Sequence, residues 1–258
     1  MEARKMFKNQ RLDEILRMLE EKQYMTVPEL MEQLFISEAT ARRDIATLEK
    51  NNLIVKGYGG ISLNNGSNRF VKLSLRQVEH EKEKQYIARM AAQTVQTGDT
   101  LFLDGGSTVM NMIPYLQQKK LTVITNSLRV ADLISDMDIR LYVTGGQLLE
   151  SSKVFVGSVA EQAMRAFHVD KTYFSSSGVS KAGDISDYSE METQLRRMAI
   201  DRSEKRYFLC DSSKFEKQFL FHVGHVTQMT GVFSDQAYTF EWENDGQLTT
   251  INRWEDIK

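Results

Sequence analysis

Two adjacent arginines, Arg42 and Arg43, sit in the stretch Ser37-Glu-Ala-Thr-Ala-Arg-Arg-Asp-Ile-Ala-Thr-Leu48. Guanidinium groups present forked N–H donors that match phosphate oxygens or a guanine edge. Wound as a helix, the stretch puts Ala41, Ile45 and Leu48 on one face at i, i+4, i+7 spacing. The other face carries Ala39, Arg43, Ala46, Thr47 and Lys50, flanked by Thr40 and Arg42. Ser37 is a good N-cap, its hydroxyl able to accept a free N–H of the first turn, and Glu38 suits the positive end of the helix dipole. Small residues leading and arginines following suit a helix that enters a DNA major groove. Taken alone, such a face is an ordinary solvated surface. Its neighbours decide.

A second set of residues points to ligand binding. Five apolar runs each end in small polar residues: Asp104-Gly105-Gly106-Ser107-Thr108, Thr125-Asn126-Ser127, Thr144-Gly145-Gly146, Ser175-Ser176-Ser177-Gly178 and Asp211-Ser-Ser-Lys214. In an open parallel sheet the carboxyl ends of the strands converge on a crevice where ligands bind. Glycine and small hydroxyl residues leave space there and offer backbone N–H groups. A Gly-Gly-Ser-Thr loop opening a helix suits a phosphate. Arg196 and Lys214 add positive charge, and Asp104 or Asp211 can accept bonds from sugar hydroxyls. One such loop is only a turn signal; five at strand ends are a pattern.

The elements that must position these residues follow from periodicity. A first helix is predicted from about residue 9 to 22, with Leu12, Ile15, Leu16 and Leu19 as its apolar stripe. A second begins at Thr26, which forms a capping-box pattern with Glu29 and tolerates Pro28 in its first turn. Phe35-Ile36 is a short connection to Ser37, so helices two and three form a helix-turn-helix. Residues 53–63 read as strand, turn, strand, a β-wing on which Lys56 and Tyr58 would reach the DNA backbone or minor groove. Arg4, Lys5, Lys8 and Arg11 add cations upstream. Residues 61–76, rich in Asn, Gly and Ser, read as a linker, followed by a helix over about 78–95. Beyond it, runs at 101–103, 121–124, 139–143, 172–174, 207–210 and 230–233 alternate with helices near 108–118, 127–136, 158–167 and 189–203. That alternation predicts a mainly parallel α/β sheet covered on both faces.

Composition bounds the rest. At 258 residues, 41% hydrophobic and 26% charged, the chain is long enough for two globular domains. With a single cysteine, Cys210, it has no disulfide framework and suits a reducing cytoplasm. No apolar run has the length of a membrane span, and the first residues lack a signal-peptide core. The net charge is −2, and residues 1–57 hold 10 Lys+Arg against 10 Asp+Glu, so DNA affinity must come from where the cations sit. Cys210 reads as a buried small residue, Met110, Met112, Met191 and Met198 as core, and His222-x-x-His225 as half a metal site lacking its other ligands. No metal or cofactor is expected. The segment from Phe240 through Trp242 to Trp254 is an extension that packs on its own domain or on a second subunit.

The Ser37-x-x-Thr40-x-Arg42-Arg43-Asp44-Ile45 helix, followed by Gly57-Tyr58-Gly59-Gly60, resembles the DNA-binding domain of the DeoR family of bacterial repressors. The family pattern is Ser-x-x-Thr-x-Arg-Arg-Asp-Leu and a wing ending in His-Gly-Gly; Ile45 and Tyr58 depart from it. The resemblance implies that Thr40, Arg42 and Arg43 contact DNA and that Asp44 orients an arginine, a salt bridge within the domain being its alternative role. Downstream, Asp104-Gly-Gly-Ser-Thr108, Thr125-Asn126, Gly145-Gly146 and Asp-Ser-Ser-Lys-Phe at 211–215 resemble the family's C-terminal sensor domain. That domain is similar to ribose-5-phosphate isomerase and typically binds a phosphorylated sugar or related metabolite. Two departures stand out. Arg196 occupies a lysine position of the family's Glu-Ala-x-x-Lys-Arg helix, which reads Glu192-Thr-Gln-Leu-Arg196-Arg197, and Ser175-Ser-Ser replaces small apolar residues and glycine. Arginine is a planar fork where lysine is a point charge, so ligand geometry or identity changes with it.

The resulting expectation is a winged helix-turn-helix domain over 1–60, a linker over 61–76 and an isomerase-like α/β sensing and oligomerisation domain over 77–258. Its partners would be operator DNA, a phosphorylated sugar and a second or further copies of the chain, as homodimer or homotetramer; no membrane is involved. The function expected is a cytoplasmic repressor of carbohydrate genes rather than an enzyme. Two alternatives stay open. One is a sugar-phosphate isomerase using Asp104, Asp187 or Glu192 as base, and the other a constitutive DNA-binding protein whose second domain only dimerises.

Overall fold

Apolar spacing and capping set the helices of the first unit. In the computed structural model, residues 8–22, 24–50, 53–57, 60–63, 79–242 and 246–257 are described, and the chain divides into units 1–75 and 76–258. Helices α1 (Lys8–Lys22), α2 (Val27–Leu34) and α3 (Glu38–Lys50) precede a wing of β2 (Ile54–Gly57) and β3 (Gly60–Leu63). The expected capping box closes the start of α2: Glu29 N–H donates to Thr26 Oγ1 at 3.3 Å, and Thr26 N–H to Glu29 Oε2 at 2.7 Å. Phe35 ends α2 in the left-handed region (φ 51°), turning the chain sharply into α3. Leu12, Ile15, Leu19, Leu30, Ile45, Leu48, Ile54 and Ile61 form the core.

Two features of this unit escaped the pattern reading. Strand β1 (Tyr24–Thr26) is too short to show a period, yet it pairs antiparallel with β3 and completes a β1-β3-β2 sheet. Residues 61–63, read both as wing and as the head of the linker, are strand, with Ile61 buried in the core. Residues 64–76 lie outside the described residues.

One buried ion pair fixes the approach of α3 to α1. Asp44 is fully buried and accepts Arg11 Nε at 2.8 Å and Arg11 Nη2 at 3.2 Å. Arg11, read in the sequence as one more upstream cation, is therefore an internal strut. The arginine that Asp44 orients is this one, through a salt bridge inside the domain.

In the second unit, a helix α4 (Glu81–Gln93) leads into a sheet of β4 (Thr100–Leu103), β5 (Thr122–Thr125), β6 (Arg140–Val143), β9 (Val169–Phe174), β12 (Ser203–Leu209) and β14 (Gly231–Phe233). Its order is β14-β12-β9-β4-β5-β6, and every neighbouring pair is parallel. Alternation assigns the faces. Tyr173 stacks on Tyr207 and bonds Thr94 at the end of α4, whereas Phe174 stacks on Phe208 in a cluster with Ile200. Both faces are thus covered at the centre of the sheet, while edge strand β6 is mostly exposed. Connecting helices are α5 (Ser107–Met110), α6 (Leu128–Ile134), α7 (Ser158–Arg165) and α8 (Glu190–Asp201). The helix expected over 108–118 is broken into α5 and a 3-10 turn at Ile113–Tyr115, because Pro114 lacks an N–H and disfavours helix at the residue before it.

Smaller antiparallel pieces complete the unit. They are a hairpin of β7 (Gln147–Leu149) and β8 (Val154–Val156), a sheet of β10 (Gly178–Val179), β11 (Asp184–Asp187) and β13 (Phe221–His225), and a hairpin of β15 (Thr239–Trp242) and β16 (Gly246–Thr249). The C-terminal segment packs on its own unit, with Phe240 buried beside Phe215 and Tyr238, and Ile251 bridging β14. Met110 and Met112 are buried as expected, but Met191 is exposed.

Arg11→Ala should leave Asp44 buried without its counter-charge and destabilise the first unit by about 3–5 kcal/mol. Lys56→Ala, at the exposed Lys56–Glu49 pair, should cost under about 1 kcal/mol. Hydrogen exchange of the α3 amides in the full chain, read against urea, measures both.

Candidate functional site

Helix α3 presents its polar face to solvent while Ala41, Ile45 and Leu48 anchor it. Ser37 caps it, accepting Thr40 N–H at 3.3 Å, and the two hydroxyls lie 2.9 Å apart. Arg42 is held along the helix by Glu38 at 2.6 Å. Arg43 is exposed and forms no salt bridge among the described residues. Thr47 donates to the Arg43 carbonyl at 2.9 Å, and Ala39 is exposed. Lys56 on the wing pairs with Glu49 at 2.5 Å. Lys50 closes α3, Lys8 is exposed, and Arg4, Lys5 and Tyr58 lie outside the described residues. Unlike Arg42 and Lys56, Arg43 is held by no carboxylate among the described residues.

The other candidate site lies where strand order reverses. From β4 the chain moves outward to β5 and β6, then returns to β9 on the other side of β4 and continues to β12 and β14. The loops after β4 and β9 therefore flank the switch point at which open α/β sheets bind ligands. Asp104 ties these loops: Oδ1 accepts Gly106 N–H at 2.8 Å, and Oδ2 accepts Ser175 N–H at 3.2 Å. Thr125 binds the next strand in, donating to the Leu103 carbonyl at 2.7 Å and accepting Ser127 N–H at 3.0 Å. The β7–β8 hairpin seats on this end of the sheet, with Phe155 N–H donating to the Asn126 carbonyl at 2.7 Å and Asn126 Nδ2 to the Phe155 carbonyl at 3.2 Å. A Cβ on Gly105 would collide with Val154, so this loop packs against the hairpin only as glycine.

Arg196 reaches these loops from α8, buried inside the protein. Nε donates to Asp104 Oδ2 at 2.9 Å, Nη1 to Asp187 Oδ2 at 2.8 Å and Nη2 to Glu192 Oε2 at 3.1 Å. Burial opposes its charge, but Asp187, Asp104 and Glu192 outweigh that and raise its pKa, so the guanidinium stays protonated. Asp187 Oδ1 also accepts Ser189 N–H at 3.1 Å, and Ser176 Oγ donates to the Ser186 carbonyl at 2.7 Å and to Asp187 Oδ2 at 3.3 Å. Asp104, Ser107, Thr108, Thr125, Asn126, Ser176 and Arg196 are all buried about this end of the sheet.

The remaining predicted residues are more peripheral. Gly145 and Gly146 follow β6 with φ 65° and 111°, a turn only glycine takes easily. Gly178 starts β10 against the Lys217 backbone. Asp211 is buried and turned onto Ser213, whose N–H it accepts at 3.2 Å. Lys214 is half-buried beyond β12 and makes no ion pair among the described residues. His225 uses both ring nitrogens, facing Thr227 Oγ1 at 2.9 Å and the Ala182 carbonyl at 2.8 Å, which removes it as a metal ligand. The sequence named Asp187 and Glu192 as possible bases and Glu192 as part of the family's helix motif; the i, i+4 spacing of Glu192 to Arg196 was the available signal for that pair, and none marked Asp187.

Arg196→Met should strand three buried carboxylates and cost about 3–5 kcal/mol in urea unfolding of the second unit. Cys210 gives a pH test. Burial, aided by Asp211 and opposed by Lys214, pushes its thiol well above the ordinary range. The stability this carries is complete below the unfolded thiol pKa of about 8.5 and is lost as pH rises past it. Iodoacetamide at pH 8 should label Cys210 only after unfolding, as read by mass spectrometry.

Comparison with known proteins agrees with this layout. Residues 11–66 match the DeoR-like helix-turn-helix domain and residues 79–236 the DeoR C terminal sensor domain. The chain is 29% identical to the lactose phosphotransferase system repressor of Streptococcus mutans, over 98% of this chain and 99% of that one. It is 31% identical to the HTH-type transcriptional regulator YulB of Bacillus subtilis, over 88% of this chain and 89% of that one. Among solved structures it is similar to ribose 5-phosphate isomerase A of Methanocaldococcus jannaschii, with a TM-score of 0.42 and 17% identity over 54% and 56% of the two chains. The sensor match alone spans more than half of the residues, and the chain belongs to the DeoR family of transcriptional regulators.

Proposed function

We propose that this chain represses genes of carbohydrate use, and that a phosphorylated sugar or related metabolite at the strand-end crevice sets its grip on operator DNA. The observation that carries this reading is a capped, core-anchored helix with Arg43 exposed, in one chain with small polar residues gathered at a sheet's switch point. The name of the Streptococcus mutans relative, a repressor of a lactose phosphotransferase system, supports carbohydrate genes as the target. Arg43 reads a base edge, Thr40, Arg42 and Lys56 position the helix on phosphates, and paired half-sites call for a homodimer or homotetramer. The protein works in the cytoplasm, with the chromosome. In the crevice Lys214 and the Gly105–Thr108 loop take the phosphate, while Asn126 and Glu192 face the sugar.

A regulator fits the crevice better than an isomerase does. Isomerisation needs a carboxylate free to take a proton from carbon. Asp104 and Asp187 accept hydrogen bonds at both oxygens and Arg196 binds both, and Glu192, the third candidate base, is tied to Arg196 through Oε2 with only Oε1 open.

Fluorescence anisotropy on the DNA upstream of the gene tests the reading. Tight, sequence-selective binding at fixed salt is expected, and indifference to that DNA would overturn it. Arg43→Ala should lose about 1–3 kcal/mol and relax preference at one base pair, whereas uniform weakening across sequences would make it a phosphate contact. Lys214→Ala should weaken sugar-phosphate binding by about tenfold, the loss of one charge-assisted hydrogen bond, as read by calorimetry.

A further inference from the structure

The cluster around Arg196 is unbalanced in charge and in hydrogen bonding. Three carboxylates surround one guanidinium, which leaves a formal excess of two negative charges in a buried site. Five of the six carboxylate oxygens accept a hydrogen bond: both of Asp104, both of Asp187, and Oε2 of Glu192. The sixth, Glu192 Oε1, is buried without a partner, and Glu192 is only 5% exposed. At the end of neighbouring β5, Asn126 Oδ1 is likewise buried without a donor, its residue 5% exposed. Both orphans are acceptors. Burial of an unmet acceptor is costly, and burial of unbalanced charge more so.

A ligand that answers both deficits must bring hydrogen-bond donors and positive charge together. A hydroxyl supplies a donor but no charge, and a phosphate supplies neither. We propose that the crevice takes a phosphorylated amino sugar, whose ammonium group donates to Glu192 Oε1 and offsets the excess negative charge about Arg196. This rests on the reading of the crevice as a sugar-phosphate site and narrows its ligand. Lys214, unpaired among the described residues, holds the phosphate away from the carboxylates. The arginine at position 196 matters to this choice. Its guanidinium spans three carboxylates with separate N–H groups, so it draws them together and leaves Glu192 with one oxygen to spare.

Calorimetry on the full chain at pH 7 tests this with matched 6-phosphates of the gluco, galacto and manno series: the amino sugar, the hydroxyl sugar and the N-acetylated amino sugar. The N-acetyl compound keeps an N–H donor and lacks the charge. An amino sugar phosphate should bind about tenfold tighter than both its counterparts, the ratio expected of one extra charge-assisted hydrogen bond. Glu192→Gln should abolish that preference, so that the amino, hydroxyl and N-acetyl sugar phosphates bind alike. Hydroxyl or N-acetyl compounds binding as tightly as the amine would overturn the inference and leave the sugar-phosphate reading standing. Failure of every compound to bind would overturn both. The wild-type comparisons decide the matter even if the Glu192→Gln substitution impairs folding.

Discussion

A guanidinium buried among three carboxylates holds the strand ends of the second unit's sheet together. Arg196 cannot give up its charge, and a buried arginine must be met by acceptors at close to hydrogen-bond geometry. Asp104 follows β4, Asp187 ends β11 and Glu192 lies one turn back on α8, so meeting that demand fixes three separate segments at one point. Asp104 then passes the constraint on, since its two oxygens also take Gly106 and Ser175 N–H groups from the loops on either side of the switch point. Shape and electrostatics at the strand ends thus have one origin. The first unit uses the same device once, where Arg11 and the buried Asp44 lock α1 against α3.

Much of this was legible in the sequence because local rules sufficed. Thr26 and Glu29 announced the capping box, Ser37 the start of α3, and the Ala41, Ile45 and Leu48 spacing its buried face. All six strands of the parallel sheet overlap apolar runs, the inner ones because strands buried on both faces read as continuous hydrophobic stretches, although edge strand β6 is mostly exposed. Small residues after five of those runs marked the carboxyl ends that ligand sites use.

What was not legible depended on pairing across distance. Strands β1 and β7 have three residues each and β10 has two, too few to show a period, and they exist through their partners. Strand order, which places the Asp104 loop beside Ser175, follows from crossovers rather than composition. Arg11 looked like one more upstream cation because the carboxylate that claims it lies 33 residues away. Arg196 looked like a free positive charge for the same reason, its partner Asp104 lying 92 residues back. Sequence reading picked out the strand-end residues; only the fold showed which of their charges are already spent on each other.

The central claim is that ligand occupancy of the crevice and operator affinity are coupled. The most direct measurement is the dissociation constant of the chain–operator complex as a function of sugar-phosphate concentration, paired with ligand affinity in the presence and absence of operator. Linkage requires both experiments to give the same coupling factor, expected in the range of about 5–150-fold. Equal, non-unit factors are the result the account predicts. An operator affinity that no phosphorylated sugar changes, with ligand affinity indifferent to DNA, would contradict it.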